Sequence, residues 1–368
     1  MMLSASFYYK YFMGTPFKII LVLCVLLLGI QELLKFKLNI KSLLSMLIPI
    51  ILFIITLRVS QDVVQNSVAC IFIFIYCARE ISFLKIAKFS IIFSSILLLF
   101  IILSSLVGII DNYEFVKAGR SRDCLGFRYA LYAPTFLFNI TALWIYIRKA
   151  NVSIKSLVIL LLANLWFYNR TDSRITFFFS AILIVIAVLM KYKPIIFEKV
   201  KLIFLVLSMS YIFSALCSII ITMSYNKSIE WMRQLDTHLS YRIILGNKSI
   251  LLNGISWFGK NISWVGNGLD AYGEKSTESY TYVDCFYVQI LQHYGILFTI
   301  VIVTLLTIAL LKFYQIKDYY LIIILSLIAF HCMIDDLSLY VYFNTFWFAA
   351  GIILFKSISI FKRNVPKY

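Results

Sequence analysis

The sequence predicts an all-α polytopic membrane protein. We expect a single integral membrane domain over residues 1–368, with about eleven transmembrane helices and a large late extracytoplasmic loop, 225–281, that contains short helices. Three observations predict this. The chain is 62% hydrophobic and only 14% charged, with a mean hydropathy of +0.92, too little charge to cover a soluble protein of 368 residues. Its apolar residues fall in runs of roughly 15–25, the length range of membrane helices. Its basic residues are shared unevenly between alternate polar stretches, as membrane topology requires.

The runs are 17–34, 42–57, 65–78, 89–110, 129–147, 156–168, 175–190, 202–224, 282–311, 319–334 and 339–356. The first has no small-residue cleavage site after it and reads as a retained helix, not a signal peptide. Those shorter than about 20 residues imply broken or half-penetrating helices.

One set of polar stretches is 35–41, 78–88, 148–155, 191–201, 312–318 and the tail from Lys356. It holds 19 of the 34 Lys and Arg, and its acids are Glu80, Glu198 and Asp318, with Glu32 at the adjoining end of the first run. Basic excess marks the cytoplasmic side, so the C-terminus is expected inside and, with eleven spans, the N-terminus outside. This bias accounts for most of the net charge of +17 and removes the argument for a nucleic-acid partner. The opposite face holds 15 basic and 13 acidic residues, dense and nearly balanced.

The seven cysteines are scattered, mostly within apolar runs, and form neither a disulfide framework nor a zinc pattern. There is no CxxC, HExxH or Walker loop, so no metal or other cofactor is expected.

Arginine stands out on the face where topology does not ask for it. Arg120, Arg122 and Arg128 lie in "DNYEFVKAGRSRDCLGFR", 111–128; Arg170 and Arg174 in "LWFYNRTDSRITFFF", 165–179; Arg233 and Arg242 in the late loop. A guanidinium offers a planar fork of donors that matches phosphate or carboxylate oxygens. The set therefore suggests anion binding; the alternative is pairing with neighbours such as Asp123 and Asp172.

In the late loop, Met232, Leu235, Leu239 and Ile243 fit a helical stripe with Arg242 beside it, as expected of helices lying on a membrane surface. "NISWVGNGLDAYG" follows as a glycine-rich loop, with Gly266, Gly268 and Gly273 permitting tight turns. Asp284 then opens the ninth run; on a helix it would share a face with Tyr287, Val288 and Leu291, either as a cap or as a substrate contact. Near the end, "AFHCMIDDLSLYVYFN" puts His331 and Asp335 four apart, the spacing of a proton-holding pair on one helix face. The alternative is that Asp335 or Asp336 caps the last helix.

Four segments in this order resemble the Wzy-type polysaccharide polymerases, relatives of the O-antigen ligases. They are "NRTDSRITFF", "LSYRIILGNKSILLNGISWFG", "GNGLDAYG" with "YTYVDCFYVQILQHYGIL", and "HCMIDDLSLYVYFN". The resemblance implies a GT-C-like glycosyltransferase of the bacterial plasma membrane, active on its outer face. Its donor and acceptor would be oligosaccharide repeats on undecaprenyl pyrophosphate, polymerised into capsular or O-antigen polysaccharide with the lipid pyrophosphate as leaving group. A flippase and a chain-length regulator would be its partners in the membrane.

On that resemblance Arg174 and Arg242 are the first choices for the pyrophosphate, and Arg120, Arg122, Arg128 and Arg170 the second. Cations at a developing negative charge stabilise the transition state more than the ground state. Asp284 and His331 would activate or position the acceptor. The rival readings are an O-antigen ligase, a lipid-linked oligosaccharide flippase and a membrane scaffold. The absence of internal repeats and the clustering of charge on one face weigh against transport.

Overall fold

The computed structural model describes residues 2–35, 40–59, 67–117, 120–194 and 199–355. The basic tail 356–368, whose cytoplasmic placement the charge pattern predicts, lies outside the described residues, as do 36–39 and 195–198 of the lysine-bearing stretches. Among the described residues the chain is built from fifteen α-helices and one small hairpin. The first four helices are α1 (Thr15–Lys35), α2 (Ile40–Val59), α3 (Ser67–Cys77) and α4 (Phe83–Leu106). The hairpin follows, β1 (Glu114–Lys117) against β2 (Arg120–Asp123), antiparallel with Phe115 opposite Arg122. Then come α5 (Tyr132–Arg148), α6 (Ile154–Thr171), α7 (Arg174–Tyr192), α8 (Lys201–Leu207) and α9 (Ser210–Met223). The late polar segment carries α10 (Glu230–His238) and α11 (Arg242–Asn253), and the chain closes with α12 (Phe286–His293), α13 (Ile296–Gln315), α14 (Tyr319–His331) and α15 (Phe346–Phe355).

Four helices, α1, α4, α7 and α13, are long and apolar enough to cross a membrane, and α8 with α9 makes a fifth if the bent pair counts as one span. Residues Met46–Val59 of α2, with α14 and α15, are equally apolar but shorter. The 13 residues of α14 rise only roughly 20 Å against a hydrocarbon core of about 30 Å. Helix α1 leaves nearly all its apolar surface exposed, whereas half of α13 is buried. An apolar helix with no protein covering is stable only where lipid takes the place of water.

The breaks depart from the sequence expectation, each for a local reason. The run 282–311 is not one helix. Gly295, with φ +96°, separates α12 from α13. The backbone of 256–260 enters the gap: Ser256 and Trp257 carbonyls accept the N–H groups of Ile296 and Leu297, while Lys260 N–H donates to the His293 carbonyl. The FG turn at Gly259 and the YG break at Gly295 thus meet backbone to backbone, and neither has room for a Cβ. The run 202–224 bends by 48° between α8 and α9, where the Ser208 hydroxyl donates to the Phe204 carbonyl at 2.7 Å. The last run becomes helical only at Phe346, whose N–H is capped by the Asn344 side chain.

The packing centre is α5, of whose 17 residues 13 are buried. Asn139 on α5 donates to Thr345 at 2.9 Å and accepts the Thr345 N–H at 3.1 Å, fixing the turn before α15. A large core joins α5, α7 and α12–α15; a second, smaller one holds the early polar segment in place. In the second core Leu125, Phe127 and Phe136 meet Leu269 of the glycine-rich loop and Leu337 just after Asp336. That cluster brings three distant stretches of chain to one place.

Candidate functional site

The site is assembled around Arg242, the first residue of α11. The expected stripe of Met232, Leu235, Leu239 and Ile243 does not run along one helix. Ser240 and Tyr241 both adopt left-handed backbone (φ 58° and 65°), which ends α10 and restarts the chain at Arg242. Asp236 makes the restart specific. It is buried on the otherwise polar α10, and its Oδ1 accepts the N–H groups of Ile243 and Ile244 at 2.9 and 3.1 Å, while the Tyr225 hydroxyl donates to its other oxygen.

Arg242 Nε donates to Asp284 Oδ2 at 3.3 Å, both side chains being about five-sixths buried (16% and 14% exposed). The Tyr280 hydroxyl donates to the same oxygen at 2.8 Å. Asp284 is not on a helix, contrary to expectation: it sits in extended chain ahead of α12, whose N-cap is Cys285. Extended chain projects alternate residues to one side, and Tyr280, Tyr282 and Asp284 all reach the same cavity.

That cavity, about 230 Å³, is polar and aromatic. Tyr129, Tyr132, Tyr280 and Tyr282 line it with Asp284, Asp335, Asp336 and the Gly266–Leu269 backbone. The loop is latched to the early polar segment: Leu269 N–H donates to the Arg128 carbonyl at 2.8 Å, and the Tyr113 hydroxyl donates to the Tyr272 carbonyl at 3.2 Å. Gly273, with φ +87°, lies against the Tyr113 ring where any Cβ would collide.

A second cavity, of about 280 Å³, is lined by the arginine of the ion pair. Its walls are apolar, from Ile221, Leu235, Leu239, Ile243, Met333 and Ile334, with Arg242 and the Ser218 and Thr222 side chains at its polar edge. The Ser218 hydroxyl lies beside the Cys285 thiol. Arg242 lines the apolar cavity and its partner Asp284 lines the polar one.

Burial acts against both charges of the pair. At Arg242 the nearby Asp284 and Asp335 carboxylates outweigh it and hold the guanidinium protonated more firmly than usual. At Asp284 burial prevails over Arg242 and Tyr280, with Asp335 adding to it, and the carboxyl is pushed up. Two carboxylates share one cation, so the guanidinium gains more than either acid does. Asp336 is also pushed up, by burial and then by its neighbour Asp335.

The other predicted residues are distributed as follows. His331 ends α14, buried between the rings of Phe138 and Phe179, with no partner for Nδ1 among the described residues. The backbone turn continues past it, Asp335 N–H donating to the His331 carbonyl, yet no hydrogen bond joins the two side chains. Asp335 Oδ1 instead accepts the Leu337 N–H at 2.8 Å in a local turn ahead of a short 3-10 helix; neither it nor Asp336 caps the last helix, the alternative that sequence left, because Asn344 does so. Arg174 is exposed and donates to Asp172 at 3.0 Å; Asp172 itself caps α6 in left-handed backbone. Arg170 pairs at 3.0 Å with Asp123 of β2, not with Asp172. Arg128 donates to the Ser4 carbonyl and stacks over Tyr9. Arg122 lies on β2, close enough to Tyr129 for its charge to act there. Arg120 opens β2, and its side chain lies outside the described residues.

The structure therefore gathers Arg242 and Asp284 and keeps Arg170, Arg174 and His331 out of both cavity walls. Sequence reasoning did not single out Tyr129, Tyr132 or Gln289 as site residues, and it placed the tyrosines of "ESYTYVDCFY", Tyr280 and Tyr282 among them, at the bilayer interface in preference to sugar stacking. The period-two pattern of "YTYVD" carried a signal for two of them and for Asp284. No family model matches the chain, and neither a curated protein nor a solved structure matches it.

Proposed function

We propose that the chain is a Wzy-type polymerase with about eleven spans and a GT-C-like architecture. It would lie in a bacterial plasma membrane with its C-terminus in the cytoplasm. It joins undecaprenyl-pyrophosphate-linked oligosaccharide repeats at the outer face. One observation carries this reading: a buried arginine lining an apolar cavity is ion-paired to an aspartate that lines a tyrosine- and carboxylate-rich cavity. A lipid-linked sugar has the same three parts in the same order. Its prenyl chain suits the aliphatic walls, its pyrophosphate suits Arg242 with the Ser218 and Thr222 hydroxyls, and its sugars suit tyrosine faces and carboxylate acceptors.

The chemistry follows from that placement. Cleavage of the anomeric C–O bond builds negative charge on the pyrophosphate, beside a cation already fixed by Asp284. In a site with little water that charge is stabilised more strongly than on an open surface.

The test is elongation by the purified full-length chain in nanodiscs, supplied with lipid-linked single repeats. A ladder of longer lipid-linked products, unchanged by EDTA, is expected. Repeats moved between leaflets of a vesicle without lengthening would favour a flippase, and transfer only to a non-repeat lipid acceptor would favour a ligase. Either result overturns the polymerase reading.

A further inference from the structure

The carboxylates of the polar cavity have unequal surroundings. Asp284 is held by Arg242 and Tyr280. Asp335 gives one oxygen to the Leu337 N–H and lies within the field of Arg242. Asp336 is held by other partners than the arginine. Its Oδ2 accepts from the Tyr282 hydroxyl at 2.6 Å and from Gln289 Nε2 at 2.9 Å, and that amide also donates to the Tyr282 oxygen at 2.9 Å. The three side chains form a closed triangle, with Asp336 4% and Gln289 7% exposed.

Both donors fall on the same oxygen. Asp336 Oδ1 has no hydrogen-bond partner among the described residues, although its side chain is almost wholly buried and lines the cavity. That oxygen is therefore open to the cavity and free to accept from what fills it, and the tyrosine-lined walls suit the hydroxyls of a sugar.

Resting on the polymerase reading above, we infer that the polar cavity seats the acceptor sugar and that Asp336 is the catalytic base, with Tyr282 and Gln289 as positioning residues. The acceptor hydroxyl oxygen bonds to the donor's anomeric carbon. The bond from that carbon to the pyrophosphate oxygen breaks, and its electron pair leaves with the pyrophosphate beside Arg242. The hydroxyl proton passes to Asp336 Oδ1 and is released to water when the lengthened chain departs. The base lines the polar cavity and the leaving-group cation lines the apolar one. Asp335 and Asp284 act on Asp336 by their charge and the Tyr282 phenol by its hydrogen bond, and the Cys332 thiol faces it from the end of α14. The phenols of Tyr132, Tyr340 and Tyr342 also face it, from α5 and the turn before α15.

The experiment compares wild type, Asp336→Asn and Tyr282→Phe as full-length chains in nanodiscs. Elongation of lipid-linked repeats is measured across pH, and binding of the lipid-linked donor is measured separately. Asp336→Asn should bind the donor within about twofold of wild type yet elongate about 10²–10⁴-fold more slowly. Tyr282→Phe keeps its ring but removes a donor to the carboxylate, which raises the carboxyl pKa. The acid limb of its rate profile should therefore move to higher pH. Elongation by Asp336→Asn at the wild-type rate, or an unmoved limb in Tyr282→Phe, overturns the assignment while leaving the polymerase reading intact. If Asp336→Asn fails to fold, the Tyr282→Phe limb decides alone. A wild-type chain that elongates nothing overturns both.

Discussion

Arg242 and Asp284, 42 positions apart in the chain, meet at 3.3 Å with both side chains largely buried. Removing one partner leaves the other as an uncompensated charge, which typically costs about 3–5 kcal/mol. Arg242→Leu should therefore lower the melting temperature in detergent. The double variant Arg242→Leu with Asp284→Leu should recover much of that loss without recovering elongation. Full recovery of both would make the pair purely structural.

Arg174 gives the contrast. Its side chain is 63% exposed and its partner is two residues away. An exposed pair of this kind contributes within about 1 kcal/mol, so Arg174→Ala should melt close to wild type. Its elongation rate should fall less than tenfold, against a loss of about 10²–10³-fold for Arg242→Ala. Parallel rate measurements on the two variants check this ranking, and a larger loss at Arg174 would move the pyrophosphate contact there.

The backbone crossing of Gly259 and Gly295 predicts a sharp positional effect. Gly295→Ala places a Cβ into the opposing main chain at a left-handed φ, whereas Gly268→Ala meets open space. The first should destabilise by more than about 2 kcal/mol and the second by less than about 1 kcal/mol. Thermal unfolding of the two variants side by side reads out the difference.

Filling the apolar cavity should act on lipid, not on sugar. Leu239→Trp narrows the cavity that Arg242 also lines, whereas the tyrosines line the other one. The apparent KM for a full-length prenyl donor should rise about tenfold or more, roughly the loss of a buried side chain's apolar contact. A short-chain prenyl donor should be affected less. Equal effects on both donors would show that the cavity does not hold the lipid chain.

Helix positions were largely legible because apolar runs and polar punctuation are local properties. Interruptions were less so. The 282–311 run looks continuous, since a single Gly295 does not by itself reveal that the backbone of 256–260 will occupy the gap. Arg242 and Asp284 were separately visible as an arginine beside an apolar stripe and an acid at a run's edge. Their pairing depends on Asp236 capping α11, a long-range arrangement that no periodicity encodes. His331 and Asp335 have the spacing of a pair, but the helix ends at His331, and Asp335 turns to the Leu337 N–H instead. The tyrosines were obscured by abundance: among 24 of them, nothing marks four as cavity walls until the fold does.

The latch between the glycine-rich loop and the early polar segment bears on engineering. Tyr113 and Arg128 hold Tyr272 and Leu269 through backbone carbonyls and a fitted ring, not through exchangeable surface charges. Residues 225–285 are therefore not a transplantable module. A chimaera that imports this stretch would carry half of a joint whose other half lies more than a hundred positions upstream. Swapping 111–132 along with it would keep the seam intact.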